Sequence, residues 1–146
     1  MNVKQVIVFR KDLLKGEKAI RKGKFSSQCC HASLGALLSI FEKEEIWEDE
    51  SFPSVGTRYK LEFKHGSYLD EWLNGIFTKI TLAVDNDEEL VKLYKKIKKE
   101  RPDIPCVLIT DCGKTEFNGI PTNTCIGIGP YISEEIDVFT KDLKLL

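Results

Sequence analysis

The chain has 146 residues, 42% of them apolar and 31% charged, with 10 Gly and 5 Pro. That is ordinary globular composition at the length of one domain, which excludes disordered, collagen-like and low-complexity classes. The 22 basic and 23 acidic residues leave a net charge of −1, which excludes a uniformly basic nucleic-acid binder but leaves room for a local basic face.

The opening MNVKQVIVFRKD places charges within its apolar run and offers no small-residue cleavage site, so it does not read as a signal peptide. Val3, Val6, Ile7, Val8 and Phe9 predict a buried strand. Residues 10–23 read as a polar loop and carry much of the positive charge of the first 24 residues. From about Lys24 a helix is expected. Leu34, Leu37, Leu38 and Phe41 recur at helical spacing, and small residues from Ser26 to Ala36 would let it lie close to a sheet. An acidic stretch follows at 42–50, then a loop at 50–58. Tyr59, Leu61 and Phe63 alternate with charged residues as a half-exposed strand. Asp70–Asn74 is a candidate helical turn, and 79–84 alternates as a strand. Asp85, Asn86 and Asp87 offer caps to a helix with Leu90, Leu93, Tyr94 and Ile97 on its apolar face, ended by Pro102 and Pro105. This helix carries a second basic cluster, 92–101. Residues 106–110 and 124–128 read as short buried strands, and Ser133 as the cap of a last helix to about Thr140. Alternating strands and helices argue a layered α/β domain. No stretch approaches the roughly 20 apolar residues that span a bilayer. The five cysteines are an odd count with Cys29 and Cys30 adjacent, which points to free thiols in the reducing cytosol rather than a disulfide framework.

Two stretches could carry chemistry. In KGKFSSQCCHA, Lys24, Gln28 and His31 fall at i, i+4 and i+7 and share one helix face near an N-terminus that can bind anions. The same spacing also fits a polar surface stripe. In TDCGKTE, after a buried strand, Asp111 and Thr115 bracket a glycine, where an acid and a hydroxyl could position a water. A turn capped by Asp111 fits as well. Adjacent helical residues point about 100° apart, so His31 cannot activate Cys30 directly. No CxxC appears and the two histidines are far apart, so neither zinc nor a thiol nucleophile is expected.

Taken in order, the motifs resemble the type 2 peptidyl-tRNA hydrolase family of archaea and eukaryotes. KQVIVFRKDL is similar to its first strand and Arg-x-Asp-Leu, and KGKFSSQCCHA to its KGKxAAQCxHA. Trp72, Gly75 and Lys79 fit the approach to its second strand. ITDCGKTEF is similar to its I-x-D-A-G-[RK]-T-Q, and CIGIGP, Ile136-Asp137 and LKLL fit its ending. The loop between Arg10 and Lys24 is longer than in the family, and 42–71 is an enlarged connection. Ser26-Ser27, Cys112 and Glu116 replace the usual alanines, alanine and glutamine.

The resemblance implies one domain over 1–146. Its fold would be three α-β-α layers around a four-stranded mixed sheet, with a peripheral strand or hairpin inserted, the strand near Tyr59–Phe63 packing on the domain. It implies a cytoplasmic homodimer without metal or cofactor. The reaction would be hydrolysis of the ester between peptide and the terminal ribose in peptidyl-tRNA. The rival is a relative that binds tRNA or protein without turnover. Within the implied reaction, Lys24 would stabilise an oxyanion or phosphate. Asp111 would orient or deprotonate water with Thr115 in its network, and Gln28 and His31 would orient the others. Lys15, Lys18, Arg21, Lys22 and Lys114 would bind the tRNA around the cleft mouth.

Overall fold

The computed structural model describes residues 1–50 and 53–146. Strands β1 (Val3–Arg10), β4 (Lys79–Val84), β5 (Cys106–Asp111), β6 (Thr122–Ile132) and the two-residue β7 (Lys144–Leu145) form one sheet in the order β5-β6-β1-β4-β7. β1 runs parallel to β4 and antiparallel to β6, while β5 and β7 pair antiparallel at the two edges. The expected four-stranded mixed sheet is therefore present with a short fifth strand added at its β4 edge.

Alternation along β1 builds both cores. Val6 and Val8 join Leu90 and Ile97 of α3 (Asp87–Glu100) and Ile136 of α4 (Ser133–Thr140) on one face. Ile7 and Phe9 join Ala32 of α1 (Lys22–Leu38) on the other, where Trp72 of α2 (Tyr68–Leu73) is also buried. Asn86 caps α3 by accepting the Glu89 amide proton, and the Glu89 carboxylate accepts from the Asp85 amide in return. Ser133 is not a cap. It is the first residue of α4, and its N–H bonds to Asn2 O, so no side chain caps that helix.

The leucines of α1 do not face the sheet. Its buried residues are Gln28, Ala32 and Ala36, whereas Leu34 and Leu38 are exposed. Small residues win that face because α1 lies too close for leucine. A Cβ on Gly127 of β6 would come within 2.2 Å of Ala32 O.

The first part of the 42–71 stretch forms a ribbon. β2 (Glu42–Ile46) pairs antiparallel with β3 (Gly56–Lys60) as a separate two-stranded sheet. The expected strand at Tyr59–Phe63 is shifted toward the N-terminus, and Leu61–Phe63 lie outside it. Pairing with β2 sets this register: Tyr59 sits opposite Lys43 and packs its ring against Phe41. Most ribbon residues are exposed, so the packing of this strand onto the domain is limited, with Tyr59 meeting the Phe41 ring just past α1. Among the described residues of 42–71 the buried one is Leu69 of α2, close in the same helix to buried Trp72.

Candidate active site

Helix α1 opens two residues earlier than expected, with Arg21 at the N-cap position. No side chain caps it, and its first turn contains no acid. Lys22 and Lys24 stand where the helix dipole disfavours cations. Such a start concentrates positive potential and leaves first-turn N–H groups open to an anion.

Strand β5 delivers a carboxylate to this helix end. Asp111 Oδ1 accepts from Lys24 Nζ at 2.8 Å and from Gln28 Nε2 at 3.3 Å, while Oδ2 accepts from the Gly113 backbone N–H at 3.0 Å. Lys24 Nζ also donates to Thr115 Oγ1 at 3.1 Å. The pair is sheltered, with the Lys24 and Asp111 side chains 15% and 10% exposed. Burial raises the Asp111 pKa, but the hydrogen bonds from Lys24 and the Gly113 amide, with Lys24's charge and Gln28, outweigh it and hold the carboxyl below its usual range. Gly113 is needed here. Its φ is +82°, and a Cβ would come within 2.6 Å of Ile120 O.

Lys24, Gln28, His31, Asp111 and Thr115 thus border one cleft, together with Arg21, Ser27 and Glu116. His31 is exposed at its edge and makes no hydrogen bond among the described residues. Gln28 is almost fully buried. Its Oε1 accepts from the hydroxyl of buried Thr124 at 2.7 Å, which turns its NH₂ toward Asp111. Sequence reasoning missed Thr124. The available signal was a glutamine on a helix face lying against a sheet, which needs a buried donor.

A second hollow adjoins the cleft and shares Glu116 with it. Leu13, Ile20 and Phe117 supply apolar surface, and Lys15 and Lys18 line it as well. The Phe117 ring centroid lies 5.9 Å from Lys24 Nζ. Phe117 and Asn118 both have positive φ, +66° and +52°, a conformation that costs about 1–2 kcal/mol per residue. Arg10 fixes the segment that forms one wall. It grips Asp12 through Nε and Nη2 and donates from Nη1 to Asn123 O at 2.9 Å. Among the expected tRNA-binding residues, Lys15 and Lys18 line this hollow. Arg21 lines the cleft, paired with Glu116 at 3.0 Å. Lys22 and Lys114 are exposed and line neither.

Burial pushes the Cys29 thiol up to about 11, with the neighbouring Cys30 adding to it. Cys29 is therefore protonated at neutral pH and a poor nucleophile. Among the described residues, no group of three His, Cys, Asp or Glu side chains gathers as a metal site.

The family model described as Peptidyl-tRNA hydrolase PTH2 matches residues 3–146. The chain is 37% identical over 143 residues to a peptidyl-tRNA hydrolase of Methanopyrus kandleri, covering 98% of this chain and 97% of that protein. It is 36% identical over 144 residues to one of Sulfolobus acidocaldarius, covering 99% and 100%. To one of Methanococcus maripaludis it is 35% identical over 142 residues, covering 97% of each. With a match that runs from the first strand to the last residue, the chain belongs to the peptidyl-tRNA hydrolase PTH2 family.

Proposed function

We propose that this protein hydrolyses the ester between peptide and tRNA in peptidyl-tRNA, releasing both. The observation that carries it is the Lys24–Asp111–Thr115 contact, made at an uncapped helix end by a member of this family. In the reaction a water oxygen bonds to the ester carbon, the bond to the ribose oxygen breaks, and a proton from water ends on that oxygen. Lys24 supplies positive charge to the oxyanion, with the first-turn N–H groups beside it. Asp111 is a weak base because its pKa is held low, so it orients the water and holds the Lys24 ammonium in place. Thr115 accepts from Lys24, which leaves its own O–H free to donate to substrate. Gln28 orients Asp111, and His31 borders the entering substrate. Lys15, Lys18, Arg21, Lys22 and Lys114 attract the tRNA backbone.

The same reading takes 1–146 as one hydrolase domain whose 42–71 connection is enlarged. It places the enzyme in the cytoplasm as a homodimer. Among the described residues no helix is long and apolar enough to cross a membrane. Exposed Leu34 and Leu38 on α1, with Phe77 nearby, offer apolar surface for a second copy, and light scattering would give the mass in solution. The functional test is peptide release from purified peptidyl-tRNA. Wild type should cleave, and Asp111→Asn should lose roughly 10²–10³ in rate while its melting curve stays cooperative. A folded wild type that binds peptidyl-tRNA without cleaving it would instead be the binding relative.

A further inference from the structure

We infer that the hollow lined in part by Phe117 holds the 3'-terminal adenosine of the substrate, with the phosphate on its 5' side drawn to Lys15 and Lys18. The inference rests on the hydrolase reading above and assigns one arm of that substrate. An ester of this kind leaves the reacting carbon in two directions, toward a peptide and toward a nucleoside. The peptide differs from one substrate to the next, whereas the nucleoside and its phosphate are constant. A built aromatic surface suits the constant arm.

The cleft around Lys24 cannot seat a base in an apolar slot, because polar side chains line it and its one ring is the exposed His31 imidazole. The adjoining hollow has what the cleft lacks. Phe117 offers a ring held by an uncommon backbone conformation, and bases stack on such rings whatever their identity. That ring lines the hollow and its centroid lies 5.9 Å from the Lys24 ammonium, so a base stacked on it leaves its ribose near the reacting centre. The charges point the same way. The two acids of the hollow are already engaged, Asp12 by Arg10 and Glu116 by Arg21. Lys15 and Lys18 make no ion pair among the described residues, and Lys15 feels Asp85 only at longer range. Two available ammonium groups in a hollow that an aromatic ring also lines are the chemistry of a nucleoside phosphate.

The test uses the whole protein and two small substrates that carry the same N-acetylaminoacyl group, one on adenosine and one on a methyl riboside. Wild type should favour the adenosine ester through KM. In Phe117→Ala that preference should shrink roughly five- to hundredfold, the range expected for a lost base–aromatic stack. Phe117→Tyr should keep it. Adenosine 5'-monophosphate should compete with the adenosine ester on wild type and shift Phe117 ring signals in NMR spectra, while ribose 5-phosphate should compete far less. The assignment is overturned if Phe117→Ala retains the full preference, or if its KM changes instead follow the identity of the acyl group. It is equally overturned if the two phosphates compete alike. Should Phe117→Ala fail to fold, the competition and NMR measurements on wild type decide alone. A wild type that cleaves peptidyl-tRNA but fails these tests loses only the adenosine pocket. One that passes the NMR test but never cleaves loses only the hydrolase reading.

Discussion

Replacing Thr124 by valine removes one hydroxyl from the interior and keeps the side chain's shape. In the native protein that hydroxyl donates to Gln28 Oε1 at 2.7 Å, and both residues are buried. Without it the oxygen is left unsatisfied, at a cost of about 1–3 kcal/mol. For a chain of this size that lowers the melting temperature by about 2–4 °C per kcal/mol. The amide can escape only by rotating. That turns its oxygen toward Asp111 Oδ1, which it now faces with its NH₂ at 3.3 Å. Two acceptors would then oppose each other, and Asp111 would lose a donor. A hydrogen bond to a charged group is worth about 1.5–3 kcal/mol, and at 3.3 Å the lower end applies, which is about tenfold in kcat. The assay is peptide release from peptidyl-tRNA at saturating substrate, with a thermal melt of the same sample. Thr124→Val should lose about tenfold in kcat with little change in KM, and Thr124→Ser should recover it. A Thr124→Val protein within twofold of wild type, or a folded Thr124→Ser as slow as Thr124→Val, would refute the argument.

Arg21→Glu with Lys22→Glu should weaken tRNA binding and flatten its salt dependence by about 0.7 in log–log slope per lost phosphate contact; a salt titration giving equal slopes would move the binding surface elsewhere. Gly127→Ala should destabilise by at least about 1–3 kcal/mol, since its Cβ would press on the Ala32 carbonyl and lift α1 from the sheet; an unchanged urea midpoint contradicts this. The Asp111 carboxyl is depressed in the fold, so its stabilisation is complete above its unfolded pKa of about 3.9 and fades as pH falls through the lower folded value. The stability gap between wild type and Asp111→Asn should therefore close in acid, and a gap constant from pH 6 to pH 2 would show no such linkage. Joining residues 41 and 61 by a short linker should leave kcat on the small adenosine ester within about twofold, because the ribbon is exposed and its loss costs little loop entropy; a collapse in kcat with a normal melt would give the ribbon a catalytic part.

The pattern of apolar residues made the sheet and its flanking helices legible, because β1 alternates between two cores and α3 carries caps and a clear apolar face. It misled at α1. Leucines at helical spacing look like a core face, but the close approach at Gly127 admits only Ala32, Ala36 and a satisfied Gln28. The ribbon was half legible. Alternation around Tyr59 was visible, but β2 reads EKEEI, four charged residues and one isoleucine that no propensity marks as a strand, and pairing alone makes it one. In the cleft, the i, i+4, i+7 spacing brought Lys24, Gln28 and His31 to one side, and the glycine turn marked Asp111 and Thr115. Thr124 and Phe117 carried no local signal. Their places depend on what lies opposite in three dimensions, a buried amide for one and a lysine and a loop for the other.

The order of strands in the sheet also sets when the cleft can exist. β5 has a single neighbour, β6, and β6 is made after it. As the chain grows from its N-terminus, Lys24 and Gln28 are synthesised early, on a helix with nothing yet to close against. Asp111 follows, on a strand with no ladder to join. Only when Thr122–Ile132 emerges can it slot between β1 and β5, carry Asp111 to Lys24 and put Thr124 behind Gln28. The chemistry of the cleft thus waits on the insertion of that one strand.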